Sequence, residues 1–234
     1  MEAGVKMTAL KAAFPHTLPV LTGYLFWGTA FGVLLGSKGY SLGWAILMST
    51  IIYAGAGQFV AIGLLTTAFN PLYAFIITLV VNARHLFYGI SLLNRVSGIG
   101  RKKSYVAFGL TDETFSILCS TEAPDGVDRS WFMFFITLLD HGYWIAGSAL
   151  GAVLGAMVDF NAKGIDFVMT ALFVVIFIEQ WKSQQYHGPA IIGVATSSVC
   201  LLLFGSSNFI IPAMLAIVLV LILCKKTLKR RTAV

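Results

Sequence analysis

The chain has 234 residues, of which 58% are hydrophobic and only 11% are charged, and its formal net charge is +6. A soluble domain carries about a quarter charged residues, so this composition excludes a water-soluble enzyme or binding module. The positive charge does not indicate a nucleic-acid partner, because the basic residues lie beside apolar runs and not on a folded basic surface.

Long apolar runs follow one another along the chain, separated by short polar breaks. A transmembrane helix needs about 20 apolar residues, and fewer where it is broken or shielded. The runs also lack the alternation of apolar and polar residues that is typical of barrel strands. We therefore expect an all-α, polytopic helical membrane protein with a single integral membrane domain over residues 1–234. The runs are 18–36, 42–68, 71–93, 131–158, 167–180, 189–205 and 209–224.

Two basic clusters set the expected topology. Residues 95–103 hold four basic side chains after the third run, and residues 225–231 hold five after the last run. The positive-inside rule places both clusters in the cytoplasm, which requires an even number of crossings between them. Segment 104–120 is then a broken or re-entrant helix. This predicts about seven crossings, with the N-terminus outside and the C-terminus cytoplasmic; the alternative is eight crossings with one basic cluster misplaced.

An internal repeat is also predicted. Residues 23–36, GYLFWGTAFGVLLG, align without gaps to residues 142–155, GYWIAGSALGAVLG, and four of the seven identities are glycines. Internal repeats are typical of transporters, which bind substrate between the two copies, so we expect related halves at 14–120 and 131–224. Seven crossings would give the copies opposite orientations, and eight would make them parallel. Alternatively, both stretches are Gly-rich packing helices.

The stretch YAGAGQF, residues 53–59, falls within the second run and places Gly55 and Gly57 just before Gln58. Two glycines so close weaken a helix, and an interrupted membrane helix exposes backbone groups that a transported substrate can bind. Tight helix packing is the alternative, but it explains only the glycines and not Gln58, whose amide also needs a partner. We expect a broken helix here, with all three residues in substrate binding.

The stretch VVNARHLFYG, residues 80–89, places an arginine inside the third run. An arginine in the membrane is costly unless it faces protein, water or a ligand. Its guanidinium can bind a carboxylate through two parallel hydrogen bonds, and positions 84, 85 and 88 share one face of a helix. We therefore expect a substrate site with Asn82, Arg84, His85 and Tyr88. The alternative is a structural pair between Arg84 and a carboxylate at position 112 or 113.

Acidic residues within the apolar segments are candidates for proton coupling. Asp112 adjoins Glu113 in GLTDETF, and Asp140 adjoins His141 in LLDHGYW. A low-dielectric environment favours the protonated carboxyl group, which can take up and release a proton as its access alternates. His141 could relay protons, although a packing histidine is the alternative. The carboxylates could instead bind a substrate ammonium or neutralise the nearby arginine.

Several functional motifs are missing from the sequence. It has no nucleotide-binding loop of the GxxxxGK type, and its histidines and cysteines lack metal-ligand spacing. No cofactor and no metal site are therefore expected. No nucleophile–base motif stands out either, which disfavours a membrane enzyme such as an intramembrane hydrolase. Secondary transport driven by the proton gradient is the favoured hypothesis.

The blocks GTAFGVLL, YSLGWAILMSTIIYAGAGQFVAIGLL, VVNARHLFYGISL and GLTDETF occur in this order in the N-terminal half. In this half the chain resembles the AzlC family, the large subunit of branched-chain amino acid exporters, and DHGYWIAGSALGAVLG matches the family more weakly. The resemblance implies export of valine, leucine or isoleucine across the bacterial inner membrane. It also implies a small AzlD-like membrane partner. The alternative is an exporter or channel for another small solute, such as methionine.

Overall fold

The computed structural model of the chain describes residues 2–68, 70–157, 174, 177–178, 181–182 and 187–231, which fall into two units, Met1–Ala162 and Lys163–Val234. The described residues form helices and no strand, so the all-α prediction is confirmed for them. Most of the run predicted at 167–180 lies outside the described residues.

The first unit contains eight helices in the part of the chain that the structure describes. Several are short and joined by breaks of only a few residues, whereas the first and the last are long. The helices are α1 (Glu2–Ser37), α2 (Leu42–Ile51), α3 (Gly55–Thr66), α4 (Pro71–Asn82), α5 (Arg84–Leu92), α6 (Lys102–Phe108), α7 (Asp112–Ser120) and α8 (Arg129–Met157).

The long helices α1 and α8 pack side by side and run in the same direction. Their contacts advance together along both helices, from His16 against Phe132 to Thr29 against the carbonyl of Gly147. At Gly32 a Cβ atom would collide with the backbone of α8. Because the glycines allow this approach, the two repeat segments meet in register. We call the end of this pair near its N-termini the basic end, and the opposite end the distal end.

Helices α2 and α3 form a hairpin, which we call hairpin 1. The chain reverses at residues 52–54, where Tyr53 takes a positive φ of 41° and packs its ring 4.3 Å from that of His141, in the middle of α8. The hydroxyl of Tyr40, just before α2, donates to the carbonyl of Leu65 near the end of α3. Both ends of hairpin 1 therefore lie at the distal end, so residues 42–68 enter and return instead of crossing.

Helices α4 and α5 form one bent element. The two are long and apolar enough together to cross a membrane, with a bend of 42°. The bend lies at Ala83, between Asn82 and Arg84. Asn70 caps the start of α4 by accepting a hydrogen bond from the backbone N–H of Tyr73. The element runs from the end of hairpin 1 to the basic end.

Helices α6 and α7 form a second hairpin, hairpin 2, which starts and finishes at the basic end. The ammonium of Lys102 lies 4.1 Å from the ring centre of Trp131, at the start of α8. The chain reverses at residues 109–111, where a Cβ on Gly109 would collide with Thr137. Helix α7 then returns, and Arg95 donates to the carbonyl of Leu118. The prediction of a broken, re-entrant helix at 104–120 agrees with this geometry.

The N-terminus of α1 also lies at the basic end, because the ammonium of Lys6 is 4.8 Å from the same Trp131 ring. The N-terminus and the 95–103 cluster therefore share one side, and the prediction that they lie on opposite sides is wrong. The seven-crossing scheme counted run 42–68 as a crossing, and its opposite orientation of the repeat copies is wrong too. The reason is that a run long enough to span can also fold back at its middle.

In the second unit the structure describes helices α9 (Gly188–Asn208) and α10 (Ile210–Arg231), which pack against each other. Gly205 has φ 71° and ψ 169°, which kinks α9 near its end. Residues 188–205 are long and apolar enough to cross a membrane. The second repeat half, 131–224, includes residues outside the described segments, so the two-half architecture stays a prediction.

Cysteine labelling tests the hairpin. In a background whose three cysteines are replaced by serine, Ser41→Cys and Thr67→Cys should react with a membrane-impermeant maleimide from the same side, because both flank hairpin 1. Ala3→Cys and Arg101→Cys should react together from the other side. Labelling in intact spheroplasts and in inverted vesicles measures this. Reaction of positions 41 and 67 from opposite sides would show that the segment crosses.

The helix contact predicts a difference between two glycines of α8. A Cβ at Gly151 would collide with the backbone of Thr29, whereas a Cβ at Gly142 meets nothing within 4 Å. Gly151→Ala should therefore lower the melting temperature of the purified protein. Gly142→Ala should leave it unchanged or raise it, since alanine favours a helix by up to about 1 kcal/mol over glycine. Equal melting temperatures would contradict the close contact.

Candidate functional site

Three groups of polar side chains surround the middle of α8, where the two hairpins reverse. The anchor cluster holds hairpin 1 on α8, the arginine cluster joins α5 to hairpin 2, and the hydroxyl cluster joins α1, hairpin 2 and α8. The anchor cluster consists of Ser49, Gln58, Trp144 and Ser148. The arginine cluster consists of Arg84, Tyr88 and Asp112. The hydroxyl cluster consists of Tyr24, Thr111, Glu113, Thr114 and Asp140.

The anchor cluster is fully hydrogen-bonded inside the protein. The Gln58 amide nitrogen donates to Ser49 at 3.2 Å, and its oxygen accepts from the Trp144 indole at 2.8 Å. Ser49 in turn donates to Ser148 at 2.7 Å. Gln58 is completely buried. Its amide was predicted to bind substrate, but here both of its polar atoms are engaged in fixing hairpin 1 to α8.

The predicted break at YAGAGQF is present, immediately before the glycines. Gly55 and Gly57 lie in the first turn of α3, after the reversal at residues 52–54. A Cβ at Gly55 would come within 3.2 Å of the Trp144 ring, and a Cβ at Gly57 within 3.2 Å of the Asn82 amide. Both interpretations of the glycines therefore hold, since the helix is broken here and its start is closely packed.

The arginine cluster contains the ion pair that the sequence suggested as an alternative. Arg84 Nη1 lies 2.5 Å from Asp112 Oδ2, and the Tyr88 hydroxyl donates to the other carboxylate oxygen. The side chains of Arg84 and Asp112 are 35% and 29% exposed. Arg84 Nε is buried and has no partner among the described residues. The charge of Asp112 is thus balanced, while this buried guanidinium donor meets no acceptor there.

The bend at Ala83 directs neighbouring polar residues towards different hairpins. Asn82 lies against Gly57 of hairpin 1, where its amide donates to the Thr78 carbonyl and its Oδ1 has no partner in the described part of the chain. Arg84 instead faces hairpin 2. His85 Nδ1 lies 3.0 Å from the backbone carbonyl of residue 82. The predicted NARH residues are therefore close together and connect the two hairpins.

The hydroxyl cluster links two carboxyl groups. The Tyr24 hydroxyl donates to Glu113 Oε2 at 2.8 Å and lies 2.5 Å from the Thr111 hydroxyl. Thr111 bonds to Thr114 at 3.1 Å, and Thr114 donates to Asp140 Oδ2 at 2.8 Å. Asp140 is completely buried, whereas Glu113 is exposed. In the part of the chain that the structure describes, neither carboxyl group has a cationic partner.

His141, the fourth candidate for proton coupling, has partners at both ring nitrogens. Nδ1 lies 2.9 Å from the Tyr105 hydroxyl and Nε2 lies 3.2 Å from the Ser49 carbonyl. Because it contacts α6 and α2, His141 connects the two hairpins to α8. Its position fits a packing role at least as well as proton transfer.

Several residues of the site were not identified from the sequence. They are uncharged, and single hydroxyl or indole groups occur throughout the apolar runs, so no pattern distinguishes them. Thr111 is the exception, because a threonine before Asp-Glu is typical of a helix start, and it does cap α7. The others are Tyr24, Ser49, Tyr53, Tyr105, Thr114, Trp144 and Ser148.

The comparisons with known proteins bear on this region. The family described as AzlC protein matches residues 19–158, which include both hairpins and all three clusters. A Bacillus subtilis protein named branched-chain amino acid transport protein AzlC is 52% identical over 95% of this chain and 87% of its own length. No solved structure matches the chain.

More distant relatives are also membrane proteins. An uncharacterized membrane protein of Helicobacter pylori strain J99 is 44% identical over 95% of this chain and 98% of its own length. The inner membrane protein YgaZ of Escherichia coli K12 is 28% identical over 72% of each chain. The membrane class expected from the composition agrees with these relatives.

A double-mutant cycle tests the anchor cluster. Gln58→Met leaves the Trp144 indole N–H without an acceptor, which costs about 1–3 kcal/mol for a buried group. Trp144→Phe removes that donor, so it should lower the melting temperature less in the Gln58→Met background than in the wild type. Thermal melts of the four proteins in detergent measure the coupling. Additive losses would contradict the hydrogen bond between the two side chains.

Proposed function

Because the chain belongs to the AzlC family, we propose that it is the membrane subunit of a secondary transporter that exports valine, leucine and isoleucine. The name of the Bacillus subtilis relative supports this substrate class at 52% identity. Two hairpins that end on polar clusters at the middle of α8 also support it, since transporters bind substrate where membrane helices are interrupted. The proposal makes the chain a transporter and not an enzyme.

The observation that carries the proposal is the ion pair between Arg84 and Asp112. An amino acid at neutral pH has one carboxylate and one ammonium. The carboxylate is opposite in charge to Arg84, and the ammonium is opposite in charge to Asp112. The substrate carboxylate can bind the guanidinium, where Nε has no partner, and the ammonium can then bind Asp112. The substrate thereby replaces both halves of a salt bridge, so no charge is left unpaired in the membrane.

The remaining predicted site residues surround this pair. The first turn of α3, with Gly55 and Gly57, offers backbone N–H groups, and Asn82 beside it has a free amide oxygen. His85 and Tyr88 form the wall on α5, and their ring centres are 5.7 Å apart. Gln58 acts indirectly in this proposal, by holding hairpin 1 in place.

We assign the coupling to protons, exchanged for the amino acid as an antiport. The candidates are Asp112, Glu113, Asp140 and His141. Glu113 and Asp140 are the strongest of them. Neither has a cationic partner among the described residues, and Asp140 is completely buried, where a carboxylate without such a partner tends to bind a proton. A small AzlD-like membrane subunit completes the transporter, as the family resemblance implies.

The proposed location is the bacterial inner membrane, with both termini in the cytoplasm. The basic C-terminal cluster and the cluster at 95–103 set this orientation through the positive-inside rule. The N-terminus joins them because Lys6 and Lys102 contact the same tryptophan ring. With run 42–68 as a hairpin, we propose six crossings in place of seven.

The alternative substrate class is another small solute, such as methionine. A linear thioether side chain fits an apolar wall much as leucine does, so the geometry of the charged groups does not separate the two. A panel of amino acids in a competition assay does. Methionine competing more strongly than leucine, valine and isoleucine would favour the alternative.

Efflux from cells tests the proposed function. Cells that lack the gene and are fed a leucine-containing dipeptide should accumulate leucine, and the chain expressed with its partner should restore export. Arg84→Ala should abolish export although the variant is present in the membrane at the normal level, because the substrate carboxylate then has no cation to bind. Arg101→Ala, in an exposed loop, is the matched control and should export normally. If the intracellular leucine level in the deletion strain were the same as in the wild type, the export proposal would be rejected. If the Arg84→Ala variant still exported leucine, this arginine would be excluded from the mechanism.

A further inference from the structure

The hydroxyl cluster forms an unbroken chain of hydrogen bonds between two carboxyl groups. The chain runs from Glu113 through the hydroxyls of Tyr24, Thr111 and Thr114 to Asp140. One end is exposed and the other is completely buried. A proton that reaches Glu113 thus has a continuous route to a carboxyl group with no access of its own.

The number of protons in this chain is informative. Four hydrogen bonds join the five side chains. Each of the three hydroxyls can donate one proton, and an ionised carboxylate can only accept. With both carboxylates ionised, one of the four bonds therefore lacks a proton. A single added proton on either carboxyl group completes all four, with every hydroxyl donating in the same direction.

Thr111, in the middle of the chain of hydrogen bonds, can accept and donate in either direction along that chain. The Thr111 oxygen also accepts the backbone N–H of Thr114 at 3.2 Å, as the cap of α7. It still has one lone pair and one proton, so it can accept from Tyr24 and donate to the Thr114 hydroxyl, or the reverse. The two arrangements use the same oxygen atoms and differ only in the positions of the protons.

The other charged and titratable groups near the chain are engaged elsewhere or lie off its path. Asp112 is bound by Arg84 and Tyr88, and His141 is bound by Tyr105. The buried Tyr53 hydroxyl, from hairpin 1, lies near those of Tyr24 and Thr114 but meets hydrogen-bond geometry with neither. No basic side chain in the described segments competes for the two carboxyl groups.

We propose that Glu113 and Asp140 share one proton, which moves between them through the hydroxyls of Tyr24, Thr111 and Thr114. The inference rests on the proton antiport proposed above. In the step, Glu113 gives its proton to Tyr24 as Tyr24 gives its own to Thr111. Thr111 passes one to Thr114, and Thr114 passes one to Asp140 Oδ2. One carboxyl group loses a proton and the other gains it, so the net charge is unchanged.

The relay gives the membrane-embedded site a place to hold the antiported proton away from the substrate. Glu113 is next to Asp112, the residue that the substrate ammonium would bind, so proton release and substrate arrival occur at adjacent side chains. When the substrate ammonium replaces the Arg84 guanidinium at Asp112, the charges beside Glu113 rearrange, and this changes the balance between a proton on Glu113 and one on Asp140. The relay thereby connects substrate binding to protonation inside the protein.

Proteoliposomes with a pH-sensitive dye inside test the relay. Two activities are measured on the chain with its partner: exchange of labelled leucine for leucine, which needs no net proton movement, and proton flux driven by a leucine gradient. Tyr24→Phe and Thr114→Val each remove one hydroxyl from the chain. Both should reduce proton flux on the order of a hundredfold, as loss of a positioned proton-transfer group does. Leucine exchange should stay within about twofold of wild type, since these hydroxyls do not contact the proposed substrate site.

Matched variants separate the relay from general damage. Thr114→Ser keeps a hydroxyl and should retain proton flux. Thr137→Val removes a buried hydroxyl whose one hydrogen bond among the described residues is to the Met133 carbonyl, and Tyr143→Phe removes a tyrosine hydroxyl that bonds to Thr17. Both should behave like wild type in both assays.

The possible results are distinct. Normal proton flux in Tyr24→Phe and Thr114→Val, or equal losses of flux and exchange, would overturn the relay. Wild-type protein that exchanges leucine but moves no protons would overturn it while leaving the transport proposal intact. Wild-type protein without leucine exchange would reject the proposed function, and the relay with it.

Discussion

The close contact between α1 and α8 is the constraint on which the rest of the structure depends. Glycines at matching positions let the two backbones approach until a single methyl group would not fit, as at Gly32 and Gly151. Between membrane helices there is little hydrophobic driving force, so such packing holds the pair together. Because the helices are parallel and in register, they fix the basic and distal ends, and each hairpin can insert from one end and reach the same level of α8.

The polar groups at that level follow from the cost of burying unsatisfied groups in a membrane. Breaks in α2–α3, α4–α5 and α6–α7 free backbone groups, which are tolerated only where protein or water satisfies them. The breaks of the two hairpins lie beside Asp140 and His141, where side chains from several helices supply partners, and the break between α4 and α5 lies against the hairpins. A polar layer in the middle of the first unit is therefore both the condition for interrupted helices and the place where we propose that a charged substrate binds.

The sequence predicted the class and the positions of the interruptions well, because apolar length and Gly or charged residues within a run have direct structural causes. The break before Gly55 and the break before Asp112 were both indicated, whereas the bend at Ala83 was not. Sequence could not predict the return of residues 42–68, since hydropathy is the same for a crossing and a hairpin. It also could not find Tyr24 or Thr114, whose importance comes only from neighbours distant in the chain.

The two hairpins are attached to their surroundings by different kinds of bonds. Hairpin 1 is held by neutral hydrogen bonds of Gln58 that are wholly buried, and separating them would leave amide and indole groups unsatisfied in a dry interior. Hairpin 2 is held to α1 and α8 by the buried hydroxyl groups of Thr111 and Thr114, and to α5 by the carboxylate of Asp112, whose partner Arg84 an incoming zwitterion could take over without leaving any charge alone. The cost of detachment is thus unequal, because the contacts of both hairpins with α8 are neutral and buried, whereas the contact between hairpin 2 and α5 is ionic and partly exposed. In the proposed transport cycle the cargo would loosen the joint between α5 and hairpin 2, while α1, α8 and the two hairpins stay together.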